Sequence, residues 1–212
     1  MEELDVKGKI LKGAEELFTK YGVRSISMDD IARHLSVSKK TLYQHFADKE
    51  DIVTLACQAH IDRHVLEFEQ IRKTAENAVD ELAKLSISLK RNMQNMNPSL
   101  LFDLKKYHPR AWNVWVNHKN KFIHTSVVRN LKQGIEEGYF RREIDPEVIG
   151  AVRLEMIQLA FDEEIFPRER FRLPDVHAQM FDYFVYGLVT EKGRKLYQKY
   201  KGVKKHQPST IL

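Results

Sequence analysis

The short segment 39–45, KKTLYQH, carries side chains that could bind nucleic acid. If it forms an α-helix with Leu42 turned toward a core, a step of about 100° per residue places Lys40 and Gln44 on the opposite face. Donors presented from such a helix reach base edges and phosphate oxygens. The alternative is an ordinary solvated surface helix. The polar residues of the segment that could make these contacts are Lys39, Lys40, Thr41, Tyr43 and Gln44.

Two other groups that could do chemistry follow in segment 49–72. His60 and His64 are four residues apart, so one helix face presents both rings and could ligate a metal ion. Glu67 is the only candidate third ligand on that face, and a solvated face explains the pair equally well. Cys57, the only cysteine, could sense oxidants, but its apolar neighbours favour a buried core residue.

Enzyme chemistry and secretion both lack support in the sequence. There is no G-x-S-x-G motif, glycine-rich phosphate loop or paired-carboxylate signature, so we predict no catalytic residue and no cofactor. A single cysteine excludes a disulfide framework and a cysteine-based metal site. No apolar run reaches the ~18–20 residues of a membrane span, and the charged start lacks a signal peptide. We expect a cytoplasmic protein without a membrane partner.

Large apolar residues are concentrated between positions 93 and 124. Most of them must serve core and dimer packing, but methionine and aromatic side chains also suit the wall of an apolar cavity. We therefore predict a pocket for a small, largely hydrophobic ligand in this region. The candidate lining residues are Met93, Met96, Phe102, Tyr107, Trp112, Trp115 and Phe122.

Apolar residues recur at helical spacing along the chain, whereas alternating strand patterns beside hairpin turns are missing. Ser27, Ser38 and Asp48 each precede a helical pattern as a cap, and Asp145-Pro146 has the same form. The sequence therefore predicts an all-α fold of about nine helices. Their predicted bounds are 5–21, 28–35, 39–45, 49–72, 76–95, 98–107, 109–137, 146–164 and 174–200.

Helices 28–35 and 39–45 are joined by only three residues, which are the dimensions of a helix-turn-helix. Ile31, Leu42 and Phe46 can pack onto Leu17 and Phe18 of the first helix. The resulting three-helix core is too small to be an enzyme.

Residues 10–55 resemble the DNA-binding domain of the TetR family of transcriptional regulators. The resemblance is carried by F-x-x-x-G at Phe18–Gly22, S-M-D-D-I-A at Ser27–Ala32, V-S-K-K-T-L-Y-Q-H-F at Val37–Phe46 and D-K-E at Asp48–Glu50. The match has no gap. The rest of the chain fits the family only in length, helix count and pattern.

The resemblance implies a homodimer that represses transcription from a palindromic double-stranded DNA operator and is released by a small-molecule effector. By position, Lys39, Lys40 and Gln44 would read bases. Position 40 is often a small residue or proline in the family, so the operator sequence does not transfer. The residues that would hold phosphates are Ser27, Thr41, Tyr43, His45 and Lys49.

The resemblance also implies a domain division. Residues 1–48 would form the DNA-binding domain and 49–201 the effector and dimerisation domain. The remaining segment, 202–212, is basic and has no apolar period, so we predict a disordered tail. Residues 190–212 hold seven basic residues and one acid, so the first 189 residues have a net charge of −1 although the whole chain has +5.

The last two predicted helices carry wide apolar faces that a monomer could bury internally, but the resemblance implies that these helices pair with their counterparts in a second copy. We expect helix 49–72 to transmit the effector signal, because it is the long element that joins the two domains by connectivity. The residues predicted for the wide apolar faces of the last two helices are Val148, Val152, Met156, Leu159, Met180, Phe181, Phe184 and Leu188.

Two other classes of function remain open at this point. One is a regulator that senses metal or redox state through His60 and His64 or Cys57. The other is a helical interaction protein with a vestigial helix-turn-helix, which would not bind its own upstream DNA in a salt-sensitive way.

Overall fold

The computed structural model describes residues 2–203, and it confirms the all-α fold. Within this range no helix is long and apolar enough to cross a membrane. Residues 204–212, most of the predicted tail, lie outside the described residues. The helices are α1 Glu2–Tyr21, α2 Met28–His34, α3 Lys39–His45, α4 Lys49–Thr74, α5 Ala78–Asn92, α6 Leu100–Tyr107, α7 Pro109–His118, a π-helical turn Lys119–Ile123, α8 His124–Glu136, α9 Pro146–Leu159, α10 Leu173–Leu188 and α11 Glu191–Val203.

The predicted caps at the first short helices are confirmed. The Ser27 side chain accepts a hydrogen bond from the Asp30 amide at 3.2 Å, and the Ser27 amide donates to the Asp30 carboxylate at 2.9 Å, which completes a capping box. Ser38 accepts from the Thr41 amide at 3.0 Å and starts α3. Local sequence therefore determines where α2 and α3 begin.

The predicted helix 174–200 is wrong in one respect, because α10 and α11 are separate. The chain leaves α10 at Val189, which forms an antiparallel bridge with Phe140. Thr190 then donates its amide to the Tyr139 carbonyl at 2.8 Å and accepts the Gly193 amide at 3.2 Å, so that it caps α11. A Cβ at Gly193 would lie 2.2 Å from the Tyr139 carbonyl oxygen, so this close approach requires glycine.

The first hydrophobic core contains the residues predicted to face inward from α1 to α3. Phe18, Ile31, Leu42 and Phe46 are all buried in it. This core does not end at residue 48, since side chains of α4, α6 and α7 belong to it as well. Those added residues are Ile52, Val53, Ala56, Leu104 and Ala111.

The second core lies among α5, α8, α10 and α11 and changes the expected roles of the last helices. Three residues of the wide apolar face predicted for the last helix, Phe181, Phe184 and Leu188, are buried inside the protomer. An apolar stripe does stay exposed on α9 and α10. It consists of three of the predicted residues, Val148, Val152 and Leu159, and of two others, Tyr183 and Tyr186.

Candidate DNA-binding surface and effector cavity

The orientation of α3 is fixed by the turn before it and by its buried side. Ser36 has a φ of 55°, in the left-handed region, which lets the chain reverse within the short connection. Leu42 is fully buried beneath α3, so the opposite face of the helix points to solvent. This face is the one predicted to contact nucleic acid.

The exposed face of α3 presents Lys40, Tyr43 and Gln44. Among the described residues, neither Lys40 nor Gln44 has a side-chain hydrogen bond or ion pair within the protein. Lys39 is also exposed, but its ammonium group is 2.6 Å from a carboxylate oxygen of Asp29. The side-chain donors of Lys40 and Gln44 are therefore available to DNA, whereas Lys39 would first have to release Asp29.

Among the residues predicted to hold phosphates, Ser27 and Tyr43 are exposed, whereas Thr41, His45 and Lys49 are half-buried. Thr41 is half-buried with its hydroxyl 2.8 Å from that of Ser38, and the Ser27 hydroxyl donates to Asp30 at 2.6 Å. His45 packs edge-on against Phe46 and is half-buried. Each of these groups keeps part of its surface in solvent or belongs to a helix cap.

Lys49 is half-buried at the start of α4. Partial burial lowers the pKa of its ammonium group, and the negative charges of Asp103 and Asp30 oppose that effect. The Lys49 ammonium group therefore lies in a field set by two carboxylates.

A cavity of about 210 Å³ lies between the two cores. Three of the seven predicted lining residues, Met93, Met96 and Trp115, do line it. Its wall also includes Phe18 and Thr19 of α1, so the cavity borders the N-terminal unit, which is formed by α1 to α3. Other lining residues that the sequence did not predict include Cys57, His64, Leu85, Arg153, Ile157 and Phe181.

The other four predicted residues lie outside the cavity lining. Phe102 is 57% exposed on α6, and Tyr107 has the Arg24 guanidinium above its ring at 5.4 Å. Trp112 packs against the first core instead. Phe122, in the π-helical turn, stacks its ring on His118 and Phe68 outside the lining. The concentration of aromatic residues therefore predicted the region of the chain that forms the cavity. It did not predict which side of each helix faces the cavity.

The geometry does not favour a metal or redox sensor. His60 is bound through Nδ1 to the Glu15 carboxylate at 2.7 Å, and no group of three potential metal ligands occurs within the described part of the chain. The Cys57 thiol donates to the Ala111 carbonyl at 3.7 Å. Burial raises its pKa to about 12, so the reactive thiolate is scarce at neutral pH.

A buried arginine lies in the wall of the cavity. Arg153 of α9 is 3% exposed, and its guanidinium lies 4.9 Å from the ring centre of Phe181. Its Nη2 is 3.5 Å from Nε2 of His177, but its Nη1 has no hydrogen-bond partner. Burial lowers its pKa to about 10, which still leaves it charged at neutral pH. Arg153 follows the buried Gly150 by three residues on the inward side of α9, a side that the sequence alone did not reveal.

The end of α1 and the start of α4 are both fixed to segments around the cavity. The Asn97 amide donates to the Thr19 carbonyl at 2.7 Å. Glu50 of α4 is 2.6 Å from Nδ1 of His108 and accepts the Arg110 amide at 3.0 Å. The N-terminal unit therefore meets the cavity region directly at α1 and through α4, and not through α4 alone as chain connectivity suggested.

Acid should destabilise this protein because three cavity histidines are shielded from water, His177 being buried and His64 and His118 half-buried. Burial is the main cause that lowers the pKa of His64 and of His118 to about 4 and that of His177 to about 3, from 6.5. Below pH 6.5 the unfolded chain takes up protons that the folded protein does not, so stability falls as the pH falls. The buried His177 contributes up to ~1.4 kcal/mol per pH unit, and the half-buried His64 and His118 contribute less because solvent screens them.

Urea unfolding at about pH 7 and about pH 5 measures this effect. We expect His64→Gln to reduce the difference between the free energies of unfolding at the two pH values, because the contribution of the His64 ring is removed. An unchanged free energy of unfolding between the two pH values would contradict the burial of these neutral rings.

Comparison with known proteins agrees with this architecture. Residues 10–56 match the family model of bacterial regulatory proteins of the tetR family. An uncharacterised HTH-type transcriptional regulator of Bacillus subtilis, YvaF, is 26% identical over 175 residues, which cover 79% of this chain and 88% of that protein. The HTH-type transcriptional repressor KstR2 of Mycobacterium tuberculosis is 25% identical over 146 residues, covering 68% of this chain and 73% of KstR2.

Two solved structures share the fold. The ketosteroid transcriptional regulator KstR2 has a TM-score of 0.63 at 22% identity over 87% of this chain and 95% of its own. A TetR-family regulator from Agrobacterium tumefaciens has a TM-score of 0.74 at 12% identity over 89% of this chain and 100% of its own. The N-terminal part of the chain, residues 10–56, is thus a helix-turn-helix domain of the kind found in TetR-family transcriptional regulators, and the whole chain shares the fold of such proteins.

Proposed function

We propose that this regulator is a repressor that binds a palindromic operator as a homodimer and is released by a small, largely hydrophobic effector. The observation that carries the proposal is the cavity, whose wall includes Phe18 and Thr19 of α1 as well as Ile61 of α4. A ligand there contacts the DNA-binding unit itself. It can therefore bind with different affinity to different positions of that unit, which is the requirement for a switch.

The operator contacts follow from the surface of α3. Lys40 and Gln44 read base edges, because their donors are exposed and unengaged, and Lys39 joins them by releasing Asp29. Phosphate contacts position the domain without reading sequence. The residues proposed for them are Ser27, Thr41, Tyr43, His45 and Lys49.

The proposed dimer uses the exposed stripe of α9 and α10. Val152 and Tyr183 are 48% and 79% exposed, which is unusual for apolar and aromatic residues on neighbouring helices. A two-fold axis through this stripe would pair two such faces and set two copies of α3 ~34–36 Å apart, one turn of DNA. KstR2, which is named a repressor and a ketosteroid regulator, is consistent with repression and with an apolar effector.

The test is a titration of lipophilic compounds against the full chain, with and without DNA from its own upstream region. We expect binding to change tryptophan fluorescence and to lower operator affinity by roughly 5–150-fold. Trp115 lines the cavity whereas Trp112 does not, so Trp112→Phe should keep the fluorescence response and Trp115→Phe should lose it. A ligand that saturates the fluorescence change but leaves operator affinity unchanged would refute the proposed switch.

Two classes of DNA-contact variant should behave differently. Lys40→Ala or Gln44→Ala should relax specificity at one base pair per half-site, at a cost of ~1–3 kcal/mol there. Lys49→Ala should weaken binding to all sequences about equally and lower the salt slope by roughly one unit, because a phosphate contact carries no sequence information. Binding to a set of single-substitution operators at several salt concentrations separates the two. Altered base preference in Lys49→Ala with an unchanged salt slope would reverse the assignment.

A further inference from the structure

The cavity wall contains a positive charge without a counter-ion. Arg153 is 3% exposed, and burial is the cause that lowers its pKa, with no carboxylate opposing it. His177 supplies only a ring nitrogen at 3.5 Å, and this nitrogen must accept, because a guanidinium has donors alone. Nη1 has no hydrogen-bond partner, and the rings of Phe181 and Phe184, at 4.9 Å and 5.5 Å from the guanidinium, supply no negative charge. A buried charge in this state is costly unless something pairs with it.

The carboxylates in the cavity wall are already engaged elsewhere. Glu81 accepts from Arg129 at 2.5 Å and 3.1 Å, and Glu15 is bound by His60 and Arg63. The Trp115 Nε1 is a second buried donor without a partner, and Trp115 lines the same cavity. The described residues thus leave two donors to be satisfied, one of them cationic.

We propose that the cavity binds an amphipathic carboxylate, whose head group pairs with the Arg153 guanidinium and whose apolar body fills the rest of the cavity. This inference rests on the proposed function and specifies the effector's chemical class. A carboxylate supplies the negative charge that the Arg153 guanidinium lacks and an acceptor oxygen for its unpartnered Nη1. The remaining wall, from Leu85, Leu89 and Ile157 among others, suits a hydrocarbon body.

The volume limits the size of that body. The cavity holds about 210 Å³, less than the ~300–1,000 Å³ common for ligand pockets. A medium-length chain suits this space, so the probes are octanoate, decanoate and dodecanoate, each matched with its primary alcohol. The alcohols keep the chain and remove the charge.

Affinities measured by calorimetry on the full chain without DNA test the head-group contact. Decanoate should bind more tightly than decanol, and Arg153→Met should weaken decanoate binding at least about thirty-fold. The same variant should leave decanol binding unchanged or improved. Arg168→Met is the matched control, since Arg168 is a partly exposed arginine that pairs with Glu163 at 2.6 Å, and it should bind both probes like the wild type.

Thermal unfolding of the ligand-free variants separates a ligand anchor from a structural arginine. Arg153→Met should have an unfolding temperature equal to or above that of the wild type, because it removes a desolvated charge that nothing in the protein neutralises. A marked drop would make Arg153 structural and overturn the proposal. Failure of all three carboxylates to bind better than their alcohols would also overturn it.

The proposed function can fail independently of this inference. If decanoate binds through Arg153 but operator affinity does not change, the anion subsite stands and the repressor switch fails. If a neutral apolar ligand releases the operator and Arg153→Met responds to it like the wild type, the switch stands and the anion subsite fails.

Discussion

Val152→Asp should convert the protein to monomers and lower operator affinity by at least about 100-fold. Val152 lies in the middle of the exposed stripe on α9, so a dimer through this stripe would bury the new carboxylate against its own copy. Two buried like charges are strongly unfavourable. A monomer binds one half-site and loses the gain of ~10²–10⁴ that a linked second half-site supplies. Sedimentation analysis and operator titration measure the two effects.

The matched control is Leu66→Asp. Leu66 of α4 is 70% exposed, more than Val152, but it lies outside the stripe of α9 and α10. It should remain dimeric and bind the operator like the wild type. A dimeric Val152→Asp variant with full operator affinity would place the interface on another surface.

The N-terminal unit could be predicted almost completely from sequence because its determinants are local. The Ser27 capping box and the inward Leu42 fix α2 and α3 within about 20 residues of chain. Their outward face then follows from helix geometry. No long-range contact had to be known for Lys40 and Gln44 to be placed on it.

The second half of the chain could not be predicted to the same depth, because its features depend on contacts distant in sequence. The separation of α10 from α11 requires the Tyr139 carbonyl, which accepts the Thr190 amide from 51 residues away. Phe181 is apolar whether it faces a partner or its own core, so periodicity alone could not decide between the two. Arg153 was missed because arginine in a helix is usually solvated.

Glu50 connects the start of α4 to helices around the cavity. Its partners lie 58 and 60 residues away in sequence, so this connection could not be predicted from local patterns either. This half-buried carboxylate, five residues beyond the end of α3, accepts the Arg110 amide at 3.0 Å and lies 2.6 Å from His108 Nδ1. It ties the start of α4 to the junction of α6 and α7. Leu104 of α6 and Trp115 of α7 both line the cavity. A ligand that moves these helices would therefore displace the partners of Glu50 and, through Glu50, the start of α4.

Glu50→Ala should therefore reduce the effect of effector on operator affinity from roughly 5–150-fold toward no effect, while the effector still binds. Glu50→Gln keeps an oxygen for the Arg110 amide and an NH₂ donor for His108, so it should retain most of the coupling. The control is Glu69→Ala in the same helix, which removes an ion pair with Arg72 and should switch like the wild type. Operator titrations with and without saturating effector give the coupling for each variant. Full coupling in Glu50→Ala would mean that the direct contact of the ligand with Phe18 and Thr19 of α1 is sufficient to move the DNA-binding unit.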